Sequence, residues 1–377
     1  MNAWVSSAAA EIASRAEREL EALVAVSSPS GDRHAADECV AVCKALLPPQ
    51  SDIDRVACSS PDHALDMVAR VTGTGERRVL LLGHLDTVVA HSDHRLLERE
   101  GDRLIGSGSV DMKGGVVLAL GVLRALATRP RDFAEVALLL VVDEEWRTAP
   151  FAHVGRFEGW DACLCFEAGE LTPDGHEGVV VRRKAAGTLR IEARGRASHS
   201  GSAPDKGINA LLALAGAAQS IAACHDPAGP QRRSAVPTVL RSGDAFNVVP
   251  AAGELLCDIR ADRESAIHEA IATVPASVDG ATLHPELLRL WPGMDAQAVT
   301  SPLLEQASET LGHTVVGVSR GGASDASHFA SSIALSVDGL GPRGGEAHNP
   351  GEYVLTESLV SRAEVALAVA DAALAGD

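Results

Sequence analysis

Histidine and carboxylate residues stand in this sequence where apolar runs end, which is where ligands of open α/β sheets bind. His84 and Asp86 end the run VLLLGHLD, and their spacing of two places both side chains on one face of extended backbone. The acidic segment Asp143-Glu144-Glu145 follows the run EVALLLVV. Three adjacent carboxylates at the end of a sheet repel one another unless a cation or solvent relieves the charge.

Three further candidates lie in comparable positions. Glu167 follows the apolar run DACLCF, Asp111 lies among glycines in GSGSVDMKGG, and His348 lies in the glycine-rich segment GGEAHNPGEYV. Taken singly, each has a structural explanation, such as a cap at the start of a helix for Asp111. Taken together, two histidines and several carboxylates without a thiolate form the ligand set that borderline divalent metals prefer.

Two metal ions about 3.5–4 Å apart need a bridging carboxylate, terminal ligands for each ion, and a further carboxylate that takes a proton from water. The residues named above supply candidates for every one of these roles. The pattern therefore predicts a site for two divalent metal ions and a metal-assisted hydrolysis.

The elements that must position these residues alternate along the chain. Short apolar runs predict strands, and helical spacing predicts helices; the strands are 64–71, 77–86 and 135–145, and the helices 8–24, 34–47 and 113–128. This alternation is typical of an α/β layered domain, which we expect to contain a central, mostly parallel sheet.

The pattern changes from Gly187 onward, where alternating strands and two helices follow a β-α-β, β-α-β order. That order predicts a smaller α+β domain of the ferredoxin-like kind. After Trp291-Pro292-Gly293 the first pattern resumes. We therefore expect residues 1–186 and 295–377 to form the catalytic, metal-binding domain, and residues 187–294 to form an inserted domain.

Composition excludes several classes of partner. The 377 residues carry 33 Lys+Arg against 51 Asp+Glu, so the formal charge is −18. Such a charge repels polyphosphate and makes a broad electrostatic contact with nucleic acid or an anionic membrane unfavourable. Aromatic residues make up only 3% of the chain, which leaves little material for stacking on bases.

The sequence also predicts a cytoplasmic protein. No apolar run approaches the roughly 20 residues that a membrane helix needs. Glu11, Glu17, Glu19 and Glu21 stand where a signal peptide would have its apolar segment. The seven cysteines are odd in number and form no CxxC pair, which is typical of a protein of a reducing compartment.

The motifs recur in an order that resembles one known family. They are GHLDTV, GSGSVDMKGG, DEE, FEAGE, GRASHSGSAPDKGINAL, FNVVPA, DIRA, GGASDASHFA and AHNPGEYV. This order, over about residues 20–375, resembles the co-catalytic di-zinc metallopeptidase family of glutamate carboxypeptidases, aminoacylase-1, acetylornithine deacetylase and succinyl-diaminopimelate desuccinylase. The resemblance implies two zinc ions in the catalytic domain, with manganese or cobalt as alternatives, and an inserted lid domain that often forms the dimer contact.

The resemblance also implies a division of the metal ligands. His84 and Glu167 would bind one ion, Glu145 and His348 would bind the other, and Asp111 would bridge them. Family members that act as aminopeptidases often carry Asp at the position of Glu167. The glutamate found here favours the carboxypeptidase or deacylase branches, and the glutamate carboxypeptidase branch in particular.

Two further roles in the catalytic domain follow from the resemblance. Asp86 would accept the far N–H of His84 and so orient the ring, a support that metal-bound histidines usually have. Glu144 would be the general base, which deprotonates the metal-bridging water and then hands the proton to the leaving amine.

The inserted domain contributes three more residues on the same grounds. His199 in GRASHSG resembles a family histidine that reaches the catalytic site of the partner subunit and stabilises the developing oxyanion. Asn247 in FNVVPA and Arg260 in DIRA resemble residues that hold the carboxylate of the substrate, for which a guanidinium is a natural bidentate partner. A homodimer formed through the lid is therefore expected.

Two positions depart from the family pattern. The paired glutamates usually continue into a Gly-Ser segment, whereas here the segment 146–150 reads WRTAP. The usual proline after the glutamate at position 167 is Ala168. Neither change removes a ligand, so both bear on the choice of substrate rather than on metal binding.

The predicted function is cleavage of a peptide or N-acyl amide next to a free carboxylate, with release of an amino acid. The substrate is an N-acyl-amino acid or a short peptide, and a carboxypeptidase is the leading hypothesis. The alternative within the same chemistry is an N-acyl-amino-acid deacylase. A non-catalytic binding member is a third hypothesis, which predicts loss of a ligand or of the base, yet Glu144 and all five ligand positions are present.

Overall fold

The computed structural model describes residues 2–375, which divide into two compact units. The larger unit contains the residues up to Arg182, Asp295–Arg320, and the residues from Ser324 onward. The smaller unit contains Arg183–Met294 and Gly321–Ala323. The sequence-based boundaries lie at 186/187 and 294/295.

The described residues form helices and strands whose bounds are as follows. The helices are α1 (Ala3–Val24), α2 (Arg33–Leu46), α3 (Gly114–Ala127), α4 (Ala210–Ala222), α5 (Glu264–Ile271), α6 (Gln297–Leu311), α7 (Ala326–Phe329) and α8 (Ser358–Ala375). The strands are β1 (Asp52–Val56), β2 (Asp66–Thr72), β3 (Arg78–His84), β4 (Glu98–Glu100), β5 (Arg103–Ile105), β6 (Glu135–Val141), β7 (Ala162–Cys165), β8 (Glu170–Leu171), β9 (Glu177–Arg183), β10 (Ala185–Arg194), β11 (Ser198–His199), β12 (Ser234–Ser242), β13 (Val248–Val249), β14 (Ala252–Ala261), β15 (Ser277–Val278), β16 (Ala281–Trp291), β17 (Met294–Asp295), β18 (Val315–Arg320), β19 (Leu335–Val337), β20 (Gly344–Gly345) and β21 (Tyr353–Leu355).

The larger unit is built on a six-stranded sheet with the order β1-β2-β6-β3-β7-β19. Strands β6, β3, β7 and β19 pair in parallel, whereas β1 and β2 pair antiparallel. In β3 the residues Val79–Leu82 are fully buried, so both faces of the strand are covered. The expected α/β fold with a mostly parallel central sheet is confirmed.

The parallel strands bring the candidate ligands to one edge of the sheet. β6, β3 and β7 are neighbours, and their carboxyl ends therefore meet at the same edge. His84 is the last residue of β3, Glu144 and Glu145 follow the end of β6, and Glu167 follows the end of β7. This edge is the usual ligand site of such sheets.

Aliphatic residues fill the core of the larger unit, as the low aromatic content requires. Helix α8 lies deep in this core, because its six consecutive residues Val365–Ala370 are all fully buried. At 3.6 residues per turn such a run covers every side of the helix. Helix α8 packs against α1, α3 and α6, and its small side chains permit this crowding. Within residues 2–375, none of the helices has the length and apolar character that crossing a bilayer requires.

One charged residue of α8 is buried with the aliphatic ones. Arg362 is fully buried, and its Nη1 lies 2.7 Å from a carboxylate oxygen of Glu177. The same guanidinium donates to the carbonyls of Gly339 and Gly341. The N–H of Gly341 donates in turn to the carbonyl of Glu167 at 2.8 Å. Helix α8 therefore supports the segment that carries a candidate ligand.

The smaller unit has a five-stranded antiparallel sheet with the order β12-β14-β10-β16-β15. Its chain order, β10-α4-β12-β14-α5-β15-β16, gives the expected two β-α-β halves. Buried and partly buried residues alternate along β10, so one face packs on the helices α4 and α5. This unit has an aliphatic core of its own.

A close contact at the start of α3 gives a test of the packing beside the site. A Cβ atom on Gly115 would lie 1.8 Å from the carbonyl oxygen of Phe166, the residue that precedes Glu167. Gly115→Ala should therefore lower the free energy of unfolding by about 2 kcal/mol, because overpacking a buried contact shifts the backbone. Urea denaturation followed by circular dichroism measures this change.

The matched control is Gly155→Ala in the same unit, since a Cβ atom at Gly155 meets no atom within 4 Å. Its free energy of unfolding should change by no more than about 0.5 kcal/mol. Equal effects of the two substitutions would show that the contact at Gly115 does not hold α3 against the end of β7.

Candidate metal centre

Two histidines face opposite oxygens of one carboxylate. The Nε2 atom of His84 lies 3.1 Å from Oδ1 of Asp111 and 3.8 Å from Oε1 of Glu167. The Nε2 atom of His348 lies 3.1 Å from Oδ2 of Asp111 and 3.1 Å from Oε1 of Glu145. Asp111 therefore belongs to two groups of potential ligands at once.

Each group has the chemistry of a divalent metal site. Within the described residues, the groups that could hold an ion are His84-Asp111-Glu167 and Asp111-Glu145-His348, with the ligand atoms of each group within 4.8 Å of one another. Both combine imidazole nitrogen and carboxylate oxygen, which suit zinc and related ions. The shared Asp111 gives the pair of groups the bridging carboxylate that a two-metal site needs. These residues fit two metal ions.

The electrostatics of the three central residues reflect their mutual hydrogen bonds. Burial opposes the charge of Asp111, but hydrogen bonds from His348 and His84 outweigh burial and lower the pKa of its carboxyl group. Hydrogen bonds to Asp111 and Glu145 raise the pKa of His348 to about 10. Burial opposes a proton on His84, yet bonds to Asp111 and Asp86 raise its pKa well above the usual value. A metal ion would therefore displace protons from both rings.

The segment that carries Asp111 is held by Glu352, a residue of the motif AHNPGEYV to which the sequence assigned no role. Glu352 is 2% exposed, and its carboxylate accepts the backbone N–H groups of Gly108, Val110 and Asp111 at 3.0, 2.8 and 2.9 Å. Gly108 has a φ of +70°, a conformation that favours glycine. Glu352 lies more than 240 positions from its partners, so no local pattern could have revealed this role.

Asp86 links His84 to the paired glutamates. Its carboxylate oxygens accept the backbone N–H groups of Glu144 and Glu145, each at 3.1 Å. The Nδ1 atom of His84 lies 3.0 Å from the backbone carbonyl of Asp86 and 3.4 Å from its Oδ1. The nearest acceptor for that ring nitrogen is thus the carbonyl rather than the carboxylate.

Glu144 lies partly buried among other charged groups. Burial raises the pKa of its carboxyl group well above the usual value, and the nearby carboxylates of Asp325, Glu167 and Glu145 add to the rise. The charge of His84 acts in the opposite direction. A carboxyl group with a raised proton affinity beside a metal-type site is suited to general acid–base work.

The two residues that follow Glu145, where the sequence departs from the family pattern, differ greatly in solvent exposure. Trp146 is 51% exposed, whereas Arg147 is 4% exposed. The guanidinium of Arg147 bonds to the carboxylates of Asp143 and Asp325, and it lies 4.7 Å from the centre of the Phe151 ring. Spacing alone could not predict the bond to Asp325, which is 178 positions away.

An aromatic cluster covers this buried charge. The ring of Phe151 stacks on His328 at a centroid distance of 4.8 Å and meets Phe329 edge-on at 5.4 Å. Burial lowers the pKa of His328 to about 4, with Asp325 opposing this shift and Arg147 adding to it. His328 is therefore neutral at physiological pH.

The candidate residues of the smaller unit fall into two places. Strand β11 pairs with β13, so His199 lies opposite Val248, and the N–H of Ser200 donates to the carbonyl of Asn247. The Nδ1 atom of His199 accepts N–H groups from Gly201 and Ser202 at 3.1 and 3.2 Å. A neutral His199 ring must therefore carry its proton on Nε2, which makes Nε2 a donor.

Arg260 lies on β14 and is engaged within its own unit. Its Nε and Nη2 atoms bond to the carboxylate of Asp258, the nearest distance being 3.0 Å, and its Nη1 donates to the carbonyl of Gly321 at 3.1 Å. The side chain of Arg260 remains 38% exposed.

The neutral state of His328 predicts a pH dependence of stability. Its pKa is about 4 in the folded protein and about 6.5 in the unfolded chain, so the unfolded chain binds the extra proton between these values. The contribution of His328 to the free energy of unfolding should therefore fall as the pH drops from 6.5 to 4. His328→Gln should reduce this fall by up to about 3 kcal/mol in urea denaturation at a series of pH values.

The control for this experiment is His313→Gln, which removes an exposed histidine of the same unit. As a surface substitution, it should change the free energy of unfolding by no more than about 0.5 kcal/mol. A parental slope in His328→Gln would contradict the assignment.

Known proteins are similar to this chain over most of its length. The sequence profile of peptidase family M20/M25/M40 matches residues 80–372. Carboxypeptidase G2 of Pseudomonas sp. (strain RS-16) is 28% identical over 308 residues, which are 77% of this chain and 72% of that protein. Succinyl-diaminopimelate desuccinylase of Nitrosospira multiformis is 27% identical over 338 residues, 82% of this chain and 85% of that protein.

Solved structures share the fold. The aminopeptidase PepT of Bacillus cereus superposes with a TM-score of 0.78 at 19% identity, over 96% of this chain and 98% of that one. A dinuclear metal-binding M20 peptidase of Bacillus subtilis gives a TM-score of 0.71 at 15% identity, over 97% and 99%. The family profile covers well over half of the chain, and the resemblance predicted from the motifs is confirmed. The chain is therefore a metallo-hydrolase that belongs to peptidase family M20/M25/M40.

Proposed function

We propose that the protein is a di-metal carboxypeptidase of the glutamate carboxypeptidase type. It hydrolyses a peptide or N-acyl amide next to a free carboxylate and releases an amino acid. The observation that carries the proposal is the sharing of Asp111 between two histidine–carboxylate groups, with Glu144 beside them. Membership of the family makes the protein a hydrolase, and the substrate is the proposed part.

The proposed metal ligands follow the two groups. His84 and Glu167 hold one ion, Glu145 and His348 hold the other, and Asp111 bridges them. We propose zinc, with manganese or cobalt as alternatives, because the donors are imidazole and carboxylate. Two bound ions would lower the pKa of a water molecule and polarise the scissile carbonyl group.

Glu144 is the proposed general base. Its carboxylate accepts a proton from the attacking water and then donates that proton to the leaving amine. Asp86 fixes the backbone of Glu144 and Glu145 through two hydrogen bonds, so it sets the direction in which both side chains point.

The smaller unit supplies the proposed contacts to the substrate. Arg260 and Asn247 hold the free carboxylate, and Asp258 releases or shares the guanidinium when the substrate binds. His199 donates its Nε2–H to the oxyanion that develops during attack, in the site of a second copy of the chain. The support for a donor is the pair of N–H bonds that Nδ1 already accepts.

A homodimer through the smaller unit is part of the proposal. Strand β12 lies at the edge of its sheet, where backbone groups can pair with another strand. Apolar side chains are exposed on and near this edge, with Val236 at 45%, Leu240 at 40% and Leu212 of α4 at 61%. A second copy of the same unit would cover them. We also propose a cytoplasmic location, which suits seven free thiols.

The second candidate is an N-acyl-amino-acid deacylase. It would use the same chemistry but would recognise the substrate on the other side of the amide bond. Relatives named succinyl-diaminopimelate desuccinylase and acetylornithine deacetylase favour it as an alternative. A non-catalytic member is disfavoured, because each ligand position and Glu144 retain a suitable side chain.

The test of the proposal is turnover of a panel of N-acyl-amino acids and dipeptides by protein loaded with zinc, manganese or cobalt. Glu144→Gln should lower kcat by about a thousand-fold, since it removes the proton acceptor. The metal content, measured by mass spectrometry, should stay at two ions per chain. Faster release of amino acids from dipeptides than from simple N-acyl-amino acids would favour the carboxypeptidase over the deacylase.

The control is Glu158→Gln, which changes an exposed carboxylate of the same unit and should leave kcat at the parental value. Absence of turnover on every substrate by metal-loaded protein would refute both the carboxypeptidase and the deacylase proposals. Full activity in Glu144→Gln would refute the role of Glu144.

The role of His199 in a second copy has its own test. His199→Ala and Glu144→Gln should each be inactive, yet a mixed dimer would contain one site with both residues intact. After subunit exchange of equal amounts, about one quarter of the sites should be active. Each variant taken through the same exchange alone serves as the control, and no recovery in the mixture would count against a shared site.

A further inference from the structure

The glutamates proposed for catalysis and metal binding lie on a segment that side chains hold in place. The parallel pairing of β6 with β3 ends at Val141. Beyond it, the N–H groups of Glu144 and Glu145 donate to Asp86, and the N–H of Thr148 donates to the hydroxyl of Ser60 at 2.9 Å. The geometry of this segment therefore depends on the side chains that reach it.

Arg147, within this segment, makes four side-chain hydrogen bonds. Its Nη1 and Nη2 atoms lie 2.5 and 2.8 Å from the two carboxylate oxygens of Asp325, a bidentate arrangement. Its Nε and Nη2 atoms lie 3.2 and 3.1 Å from Oδ1 of Asp143. One guanidinium thus connects two carboxylates that are far apart in sequence.

The contact between Arg147 and Asp143 closes a loop that contains Glu144 and Glu145. Asp143 immediately precedes Glu144, and Arg147 follows Glu145 by two positions, so their ion pair closes a loop around both glutamates. The other oxygen of Asp143 accepts the N–H and the hydroxyl of Ser60 at 2.9 and 2.7 Å. The loop is therefore anchored on both sides, at Ser60 and at Asp325.

The buried surroundings of the Arg147 guanidinium prevent water from replacing its bonds. Asp143 is fully buried, Asp325 is 3% exposed, and the ring of Phe151 covers Arg147. Water cannot replace these bonds at such positions. A lysine keeps the charge but has no planar fork, so it cannot bond to both carboxylates in the same way.

The charge of Arg147 also matters to its neighbours. Without it, the buried carboxylates of Asp143 and Asp325 would stand beside Glu144 and Glu145 with no guanidinium between them. Like charges in a buried site repel one another and drive their groups apart. The same residue therefore ties the segment and balances its charge.

We propose that Arg147 is a positioning residue, whose bonds to Asp143 and Asp325 fix the backbone that presents Glu144 and Glu145. The kinetic consequence of this role rests on the proposed function. The structural consequence does not, because order in the segment is measurable in metal-free protein.

The kinetic test compares Arg147→Lys with the parent. kcat should fall about ten- to a hundred-fold, because a small displacement of a catalytic group has an effect of that size. KM should stay within about twofold, and two metal ions should remain bound. The matched control is Arg124→Lys, since Arg124 is a partly buried arginine of the same unit that pairs with Glu19, and it should retain parental kinetics.

Hydrogen–deuterium exchange of the metal-free proteins provides the second test. Peptides that cover residues 142–153 should exchange about ten times faster in Arg147→Lys than in the parent, with the rest of the chain unchanged. Asp325→Asn should give the same local effect, and it replaces Arg147→Lys if that variant does not fold. Arg124→Lys should leave these peptides at the parental rate.

A double substitution separates positioning from general damage. If Arg147 acts through Asp325, the variant with both Arg147→Lys and Asp325→Asn should have a kcat within about twofold of Arg147→Lys alone. Additive losses, a parental kcat in Arg147→Lys, or unchanged exchange over residues 142–153 would each overturn the proposal. A parent that turns over no substrate would instead refute the proposed function, and the exchange experiment would still decide the role of Arg147.

Discussion

The placement of the Asp111 carboxylate between two imidazoles is the constraint on which the rest of the site depends. One oxygen faces His84 at the end of a central strand, and the other faces His348 on a distant loop. Glu352 holds the backbone of Asp111, and it lies only four positions after His348. The loop that supplies one ligand thus also supplies the anchor of the shared ligand, so the two groups cannot move independently.

The site concentrates carboxylates in a buried place, and three kinds of partner stabilise them. Asp86 and Glu352 accept backbone N–H groups, which neutralise charge without adding another ion. Asp143 faces the guanidinium of Arg147. Asp111 faces the imidazoles. The arrangement leaves the histidine–carboxylate groups as the place where added positive charge is most favourable.

Local patterns in the sequence predict those helices and strands that are determined by nearby residues. Apolar runs mark β3, β6 and β7, and their parallel pairing makes the meeting of His84, Glu145 and Glu167 foreseeable. Helix α4 begins at Ala210, because Asn209 caps it while Pro204–Lys206 forms a separate turn. Strands β12 and β16 are partly exposed and contain prolines, so no apolar run in the sequence predicts them. The bonds of Glu352 and Arg147 join residues far apart in sequence, and only the folded chain brings them together.

Helix α8, which carries the fully buried run Val365–Ala370, bears on the order in which the protein is made. Its Arg362 supports the segment of Glu167, and its aliphatic face completes the core beneath the sheet. A ribosome synthesises the whole smaller unit before it reaches α8. The smaller unit is therefore synthesised in full while the larger one still lacks a core helix. A premature stop before residue 358 would leave every candidate ligand present but would remove the helix that supports the segment of Glu167.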